Sequence, residues 1–235
     1  MANPLVSVII PHYNHQAYLP KAIESVLAQS YPMESVEIII VNDDPTISLA
    51  EYRKFAPNIR IIQNVFQKGV AACLNEGIKV AQGEYVAFQD ADNWSMTRRL
   101  ESSVHQMLID DSDLLYGDFI ALKRNRKPDY FTARPFSKED LCRRCPSDFG
   151  TIMVRTRIAK KIKFPEDIGY GMDMVWWLRV SKATEKFSRL HLPLMYYQFE
   201  ASNFRKFQSV PIVRKIQRLS MRVKLRRQML AELHS

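Results

Sequence analysis

Apolar positions in the first hundred residues alternate between two periods. Leu5 to Ile10, Val36 to Val41, Ile59 to Ile62 and Tyr85 to Phe88 are short runs rich in β-branched or aromatic residues and read as strands. Between them, Leu19, Ile23, Val26 and Leu27 recur at helical spacing, as do Val70, Cys73, Leu74 and Ile78, and a short helix is expected around Ser48 to Phe55. The second run is almost wholly apolar, which predicts burial on both faces and a central parallel position. Strand and helix units joined by crossovers of helical length predict an α/β fold, a mostly parallel central sheet with helices on both faces. The first strand is expected to break at Pro11, leaving Pro11-His12-Tyr13-Asn14 as a loop, and Gly83 lies where the helix before the fourth strand would stop.

The second half is less regular. Asp113 to Tyr116, Phe119 to Leu122 and Gly150 to Val154 read as strands, Met172 to Ala183 as a helix carrying Trp176, Trp177 and Val180, and Met195 to Phe199 as a closing edge strand. From Pro211, Ile212, Ile216, Leu219 and Val223 fall at helical spacing among basic residues, a basic amphipathic helix. The expected division is one domain over 1–209 and a basic helical tail over 210–235.

The tail changes the charge picture. Of the net charge of +9, +6 lies from Val210 onward, so the domain itself is close to balanced. The tail can lie on an anionic membrane or pack its apolar stripe on the domain; it lacks the interleaved aromatics of a nucleic-acid binder. With 46% hydrophobic and 25% charged residues the composition is that of a globular protein. The apolar runs are too short to cross a bilayer, and the first has no basic flank, so a cytoplasmic protein, peripheral at the inner face of the membrane if the tail binds it, is expected. Cys73, Cys142 and Cys145 make no disulfide framework and are read as reduced and structural; Cys142 and Cys145 would be half a zinc site with no second half.

Parallel strands all end on one edge, so Pro11 to Asn14, Asp43 with Asp44, and Asp90 with Asp92 should converge on one crevice. Asp90 and Asp92 are two apart in an extended chain and face the same side. Two anions so placed favour a cation, and oxygen ligands with no His or Cys beside them in the sequence suit Mg²⁺ or Mn²⁺. The alternative is a pair of turn-forming or helix-capping aspartates before a helix that begins near Met96. Neither a dinucleotide glycine fingerprint nor a phosphate-binding Gly-Lys-Ser/Thr loop is present, so the phosphates of any nucleotide ligand would be met by metal.

Taken in order, Val6-Ser7-Val8-Ile9-Ile10-Pro11-His12-Tyr13-Asn14, Val41-Asn42-Asp43-Asp44, Gly69 through Asn75-Glu76-Gly77, Ala81-Gln82-Gly83-Glu84-Tyr85, Asp90-Ala91-Asp92 and Gly171-Met172-Asp173 resemble the family-2 glycosyltransferases of GT-A fold, over roughly Val6 to Asn203. The resemblance implies a nucleotide-binding half over 1–110 and an acceptor half over 111–209. It implies a donor site from Pro11, Tyr13, Asn14, Asp43, Lys68, Gly69 and Asp90, with Asp43 on the base, uracil for a UDP donor, and Asp90 near the ribose. Asp92 would hold the divalent metal, Mn²⁺ or Mg²⁺, and Asp173 would be the general base; alternatively Asp173 simply caps the helix that follows. The chain departs from the family at Leu74, Asn93 and Met172, and at Gln198 and Glu200, where Arg and a metal-binding His are usual; Glu200 could itself ligate the metal. Phe149, Gly150, Tyr170, Trp176 and Trp177 are candidates for an acceptor wall or for core. The expectation is an inverting glycosyltransferase moving a sugar from a nucleotide-sugar donor to a hydroxyl of a saccharide or lipid-linked acceptor. The competing expectation is a non-catalytic nucleotide-sugar-binding or membrane-associated protein; a sugar-phosphate nucleotidyltransferase would need a glycine-rich loop near the N-terminus.

Overall fold

The structure, a computed structural model, describes residues 3–123, 125–141, 144–168, 171–198 and Met229. Four strands, β1 (Val6–His12), β2 (Val36–Asn42), β3 (Ile59–Gln63) and β4 (Tyr85–Phe88), pair in parallel in the order β3-β2-β1-β4. Val6 of β1 sits opposite both Val36 and Tyr85, so the strands start level and end on a common edge. Side chains alternate across this sheet, and both faces are covered. Ile9, Ile39, Val41, Val86 and Phe88 pack under α2 (Val70–Val80), whereas Val8, Ile10, Ile38, Ile40 and Ala87 pack under α1 (Leu19–Leu27) and α3 (Arg99–Ile109). Each fully buried Ile or Val of this set contributes roughly 1.5–3 kcal/mol. A slip of one residue in register would send the whole set to the wrong face.

Pro11 does not end the first strand, contrary to the expectation. Ile9 accepts a bond from Gln89 N on the β4 side, while His12 accepts from Asp43 N on the β2 side. Pro11 therefore turns its donorless nitrogen toward the β4 side, beyond the last β4 partner at Phe88, where no ladder bond is lost.

The second half extends the same sheet rather than building another. β5 (Trp94–Ser95), β6 (Leu114–Leu122), β7 (Asp129–Phe131), β8 (Met153–Arg155) and β9 (Phe187–Gln198) complete nine strands in the order β3-β2-β1-β4-β8-β6-β9-β5, with β7 on β6. Three expectations need correction. Asp113–Tyr116 and Phe119–Leu122 are one strand, β6, carried through Gly117 by a bulge in its parallel pairing with β9. A Cβ at Gly117 would lie 2.6 Å from Leu194 Cδ1, so the missing side chain makes room for that partner. The segment at Met195 is also not an edge strand: β9 is twelve residues long and lies between β6 and β5. Gly150 to Val154 divides into a single helical turn, Phe149–Thr151, and then β8.

α4 (Lys138–Leu141), α5 (Thr156–Lys161) and α6 (Met172–Ala183) follow the sheet, and α5 and α6 join α2 on its face. Trp176 and Trp177 are fully buried in that core. Trp176 stacks on Phe164 at 4.7 Å and meets Phe88 edge to face at 5.7 Å, so both tryptophans are core and not an acceptor wall. Phe149 stacks on Phe88 at 4.6 Å in the same cluster. Tyr170, Glu200 and the tail over 210–235 apart from Met229 lie outside the described residues; Met229 is helical and buried in the tryptophan cluster. Among the described residues, no helix is long and apolar enough to cross a membrane.

Candidate active site

The carboxyl ends of β1, β2 and β4 open into one cavity of about 310 Å³, whose wall includes Pro11, Tyr13, Asp43, Asp90, Asp92 and Tyr197. Asp43 follows β2 and is nearly buried. Its Oδ1 accepts from Asn64 Nδ2 at 2.9 Å and Lys68 N at 2.8 Å, and its Oδ2 accepts from Gly69 N at 2.8 Å. These bonds fix the loop that starts α2. Gly69 adopts φ +93, a conformation glycine takes without the clash a Cβ would bring. Gly69 and the Lys68 backbone thus lie beside Asp43, while the Lys68 ammonium pairs with Glu76 at 2.5 Å on α2. Asn14 is exposed in a left-handed turn, φ 56, next to Tyr13.

The loop after β4 turns back on itself. Asn93 Nδ2 donates to Asp90 Oδ2 at 2.9 Å, and Asn93 Oδ1 accepts from Gln198 N at 2.7 Å, which ties the end of β9 to the acidic loop. Below it lies Arg99, only 1% exposed, which donates to Gln89 Oε1 and Ser95 Oγ at 2.9 Å and to the Phe88 carbonyl at 2.5 Å. Burial holds the Arg99 pKa down to about 10, against the carboxylates of Asp90 and Asp148 that favour its charge. Burial, then the charge of Asp92, pushes Asp90 up to about 7; burial also pushes Asp92 up to about 6. Asp148 caps the turn at Phe149–Thr151 through Gly150 N at 3.0 Å, and burial followed by the charge of Asp90 pushes it up to about 7.

Asp173 stands in the first turn of α6, behind Gly171 at φ 77, where the helix dipole favours an anion. Its charge is felt by both Asp90 and Asp148, although Asp173 is not among the described residues that line the cavity. The Cys145 thiol donates to Asp173 Oδ2 at 3.3 Å, and burial, then that carboxylate, pushes the thiol well up, keeping it protonated as a donor. Cys145 is a free thiol that touches the expected base.

Two histidines complete the wall. His12 bonds Asn42 Oδ1 through Nδ1 at 2.9 Å, and burial lowers its pKa, so it is a neutral part of the floor. His15 Nε2 lies 3.8 Å from Asp92 Oδ2. Among the described residues no three His, Cys, Asp or Glu side chains form a complete ligand set. The donor set nevertheless fits a divalent cation that substrate completes: Mg²⁺-type sites use one or two protein ligands plus phosphate oxygens. Crowded, poorly hydrated carboxylates are also what a cation would relieve.

Asp43, Asp90 and Asp92 were legible as a converging set. Asp148, Arg99 and His15 were not. Asp148 precedes a single turn with no motif, Arg99 reads as one of the charged residues of a surface helix, and His15 is distant from Asp92 in sequence. Only a basic residue on the buried stripe of α3, with Leu100, Val104 and Met107, hints at a buried partner for the acids.

Residues 7–205 match the family described as Glycosyl transferase family 2. The chain is 31% identical over 186 residues to an uncharacterized glycosyltransferase of Rickettsia bellii, covering 75% of this chain and 26% of that protein, so it spans about a quarter of that relative. It is 26% identical over 185 residues to the UDP-Glc:alpha-D-GlcNAc-diphosphoundecaprenol beta-1,3-glucosyltransferase of Escherichia coli, covering 77% and 72%. Among solved structures, S. aureus TarS in complex with UDP-GlcNAc shares the fold with a TM-score of 0.72 at 22% identity, covering 88% of this chain and 62% of that one. A mannosyltransferase of Pyrobaculum calidifontis in complex with GDP-Man and Mn²⁺ gives a TM-score of 0.64 at 17% identity, covering 94% and 63%.

Proposed function

The chain belongs to glycosyl transferase family 2, and from that premise we propose that it is an inverting transferase moving a sugar from a uridine diphosphate donor to a hydroxyl of a saccharide or lipid-linked acceptor. The observation that carries this reading is the cavity at the ends of β1, β2 and β4, where Asp43, Asp90 and Asp92 line one wall and the charge of Asp173 acts on Asp90. Asp43, its carboxylate held by the loop before α2, receives the base; Asp90 lies toward the ribose. A divalent cation at Asp92 would neutralise the diphosphate and stabilise it as a leaving group. Asp173 accepts the proton of the acceptor hydroxyl as its oxygen attacks the anomeric carbon. The bond to the diphosphate breaks on the opposite side, and the configuration inverts. The UDP-glucose and undecaprenol-linked saccharide named for the Escherichia coli relative, and the UDP-GlcNAc and Mn²⁺ bound by the structural neighbours, support the choice of donor, acceptor class and metal.

The test is UDP release from a panel of UDP-sugars with Mn²⁺, with and without saccharide and lipid-linked acceptors. Asp173→Asn is expected to lower acceptor-dependent transfer by about 10²–10⁴ while leaving donor binding intact. Asp92→Asn is expected to abolish the metal dependence. Metal-dependent donor binding without turnover across the panel would instead identify a binding protein.

A further inference from the structure

We propose that His15 is a second protein ligand of the divalent cation, facing Asp92 across the cavity, and that its imidazole biases the site toward Mn²⁺ over Mg²⁺. The inference rests on the metal reading above and adds to it a residue and a selectivity. The two side chains are 12% and 9% exposed, and both line the same cavity. His15 is held in the turn that leads into α1: its carbonyl accepts from Tyr18 N and Leu19 N at 3.0 Å, and the Tyr18 ring meets the imidazole edge on at 6.2 Å.

The separation of 3.8 Å from Nε2 to Oδ2 exceeds a hydrogen bond, which closes at about 2.7–3.2 Å. It suits two ligands of one ion. Atoms each about 2.1 Å from a metal lie roughly 3 Å apart when at right angles and about 4 Å when opposed. Asp90, the other carboxylate of the loop, is already committed through Oδ2 to Asn93. His15 and Asp92 with diphosphate oxygens and waters then make a sufficient set. One nitrogen among oxygen ligands favours a transition ion, because imidazole suits such metals while Mg²⁺ takes oxygen.

The experiment measures metal binding without turnover, using the full chain, UDP as the probe, and Mn²⁺ titrated by electron paramagnetic resonance with Mg²⁺ as competitor. Wild type is expected to show nitrogen hyperfine coupling on bound Mn²⁺. His15→Ala is expected to lose that coupling and weaken Mn²⁺ binding by at least about tenfold, the scale on which ligand-supporting groups act. His15→Gln, which keeps shape and offers an amide oxygen, is expected to retain Mg²⁺ binding while losing the Mn²⁺ advantage. Melting temperatures without metal check that each variant folds. Asp92→Asn separates the two ideas. If Asp92→Asn binds Mn²⁺ like wild type, the metal reading itself fails. If Asp92→Asn loses the ion while His15→Ala keeps affinity, coupling and Mn²⁺ preference, His15 is only a counter-charge and this inference alone is overturned.

Discussion

At the scale of single residues, the acidic pocket rests on one buried guanidinium. Arg99 satisfies Gln89, Ser95 and the Phe88 carbonyl, and its charge lies under Asp90 and Asp148. Replacing it with Leu removes the counter-charge and leaves these buried acceptors unmet, a loss of about 3–5 kcal/mol. Denaturant unfolding of Arg99→Leu should show that fall, and Arg99→Lys should recover only part of it, because an ammonium has no planar fork to reach all three partners. A variant as stable as wild type would remove Arg99 from the foundation of the site. Asp43, Asp90 and Asp92 could be read from the sequence because each follows directly on an apolar strand, so local pattern alone fixes where it emerges. Arg99, Asp148 and His15 meet the acids through packing between distant segments, for which the sequence carries no period.

At the scale of elements, the division between what could and could not be read follows the same physics. β1, β2, β4, α2 and α6 have patterns strong enough to stand without partners, and the expected spans of β4 and α6 coincide with the observed ones. β6 and β9 depend on each other: their continuity through Gly117 rests on Leu194 fitting against a glycine, a contact invisible to a window of sequence. Two other glycines separate stability from binding. A Cβ at Gly83, in the turn into β4, would lie 2.7 Å from Leu5 O and Ser7 N, both backbone atoms of the β1 side. Gly83→Ala must push β4 away from β1 and should lower stability by about 1–3 kcal/mol with an unchanged denaturant slope. At Gly69 a Cβ meets nothing within 4 Å, but the backbone is at φ +93. Gly69→Ala should cost only about 1–2 kcal/mol, and its larger effect should be weaker UDP binding by calorimetry, as the loop bonded to Asp43 rearranges. The reverse ranking in the two measurements would mean that the loop before α2 is structural only.

For the whole molecule, three buried carboxylates lower stability at neutral pH. Asp90 and Asp148 are pushed up to about 7 and Asp92 to about 6, from an ordinary 3.8. The folded chain therefore holds protons on these groups more tightly than the unfolded chain does. Their contribution to stability is fully present below about pH 4 and is lost as the pH rises through 6 and 7. Without metal, the melting temperature should therefore decline across that window, where an ordinary set of solvated carboxylates would leave it flat. Neutralising one member tests the origin: Asp148→Asn keeps the side-chain oxygen that accepts from Gly150 N and should flatten the decline. If Mn²⁺ with UDP binds as proposed, it competes with the protons on Asp90 and Asp92, and the stabilisation it brings should grow over the same interval. A wild-type melting temperature flat from pH 5 to 8 without metal, with a metal response equal at both ends, would mean that burial does not raise these carboxylates in the fold and that Asp90 and Asp92 do not gather around an ion.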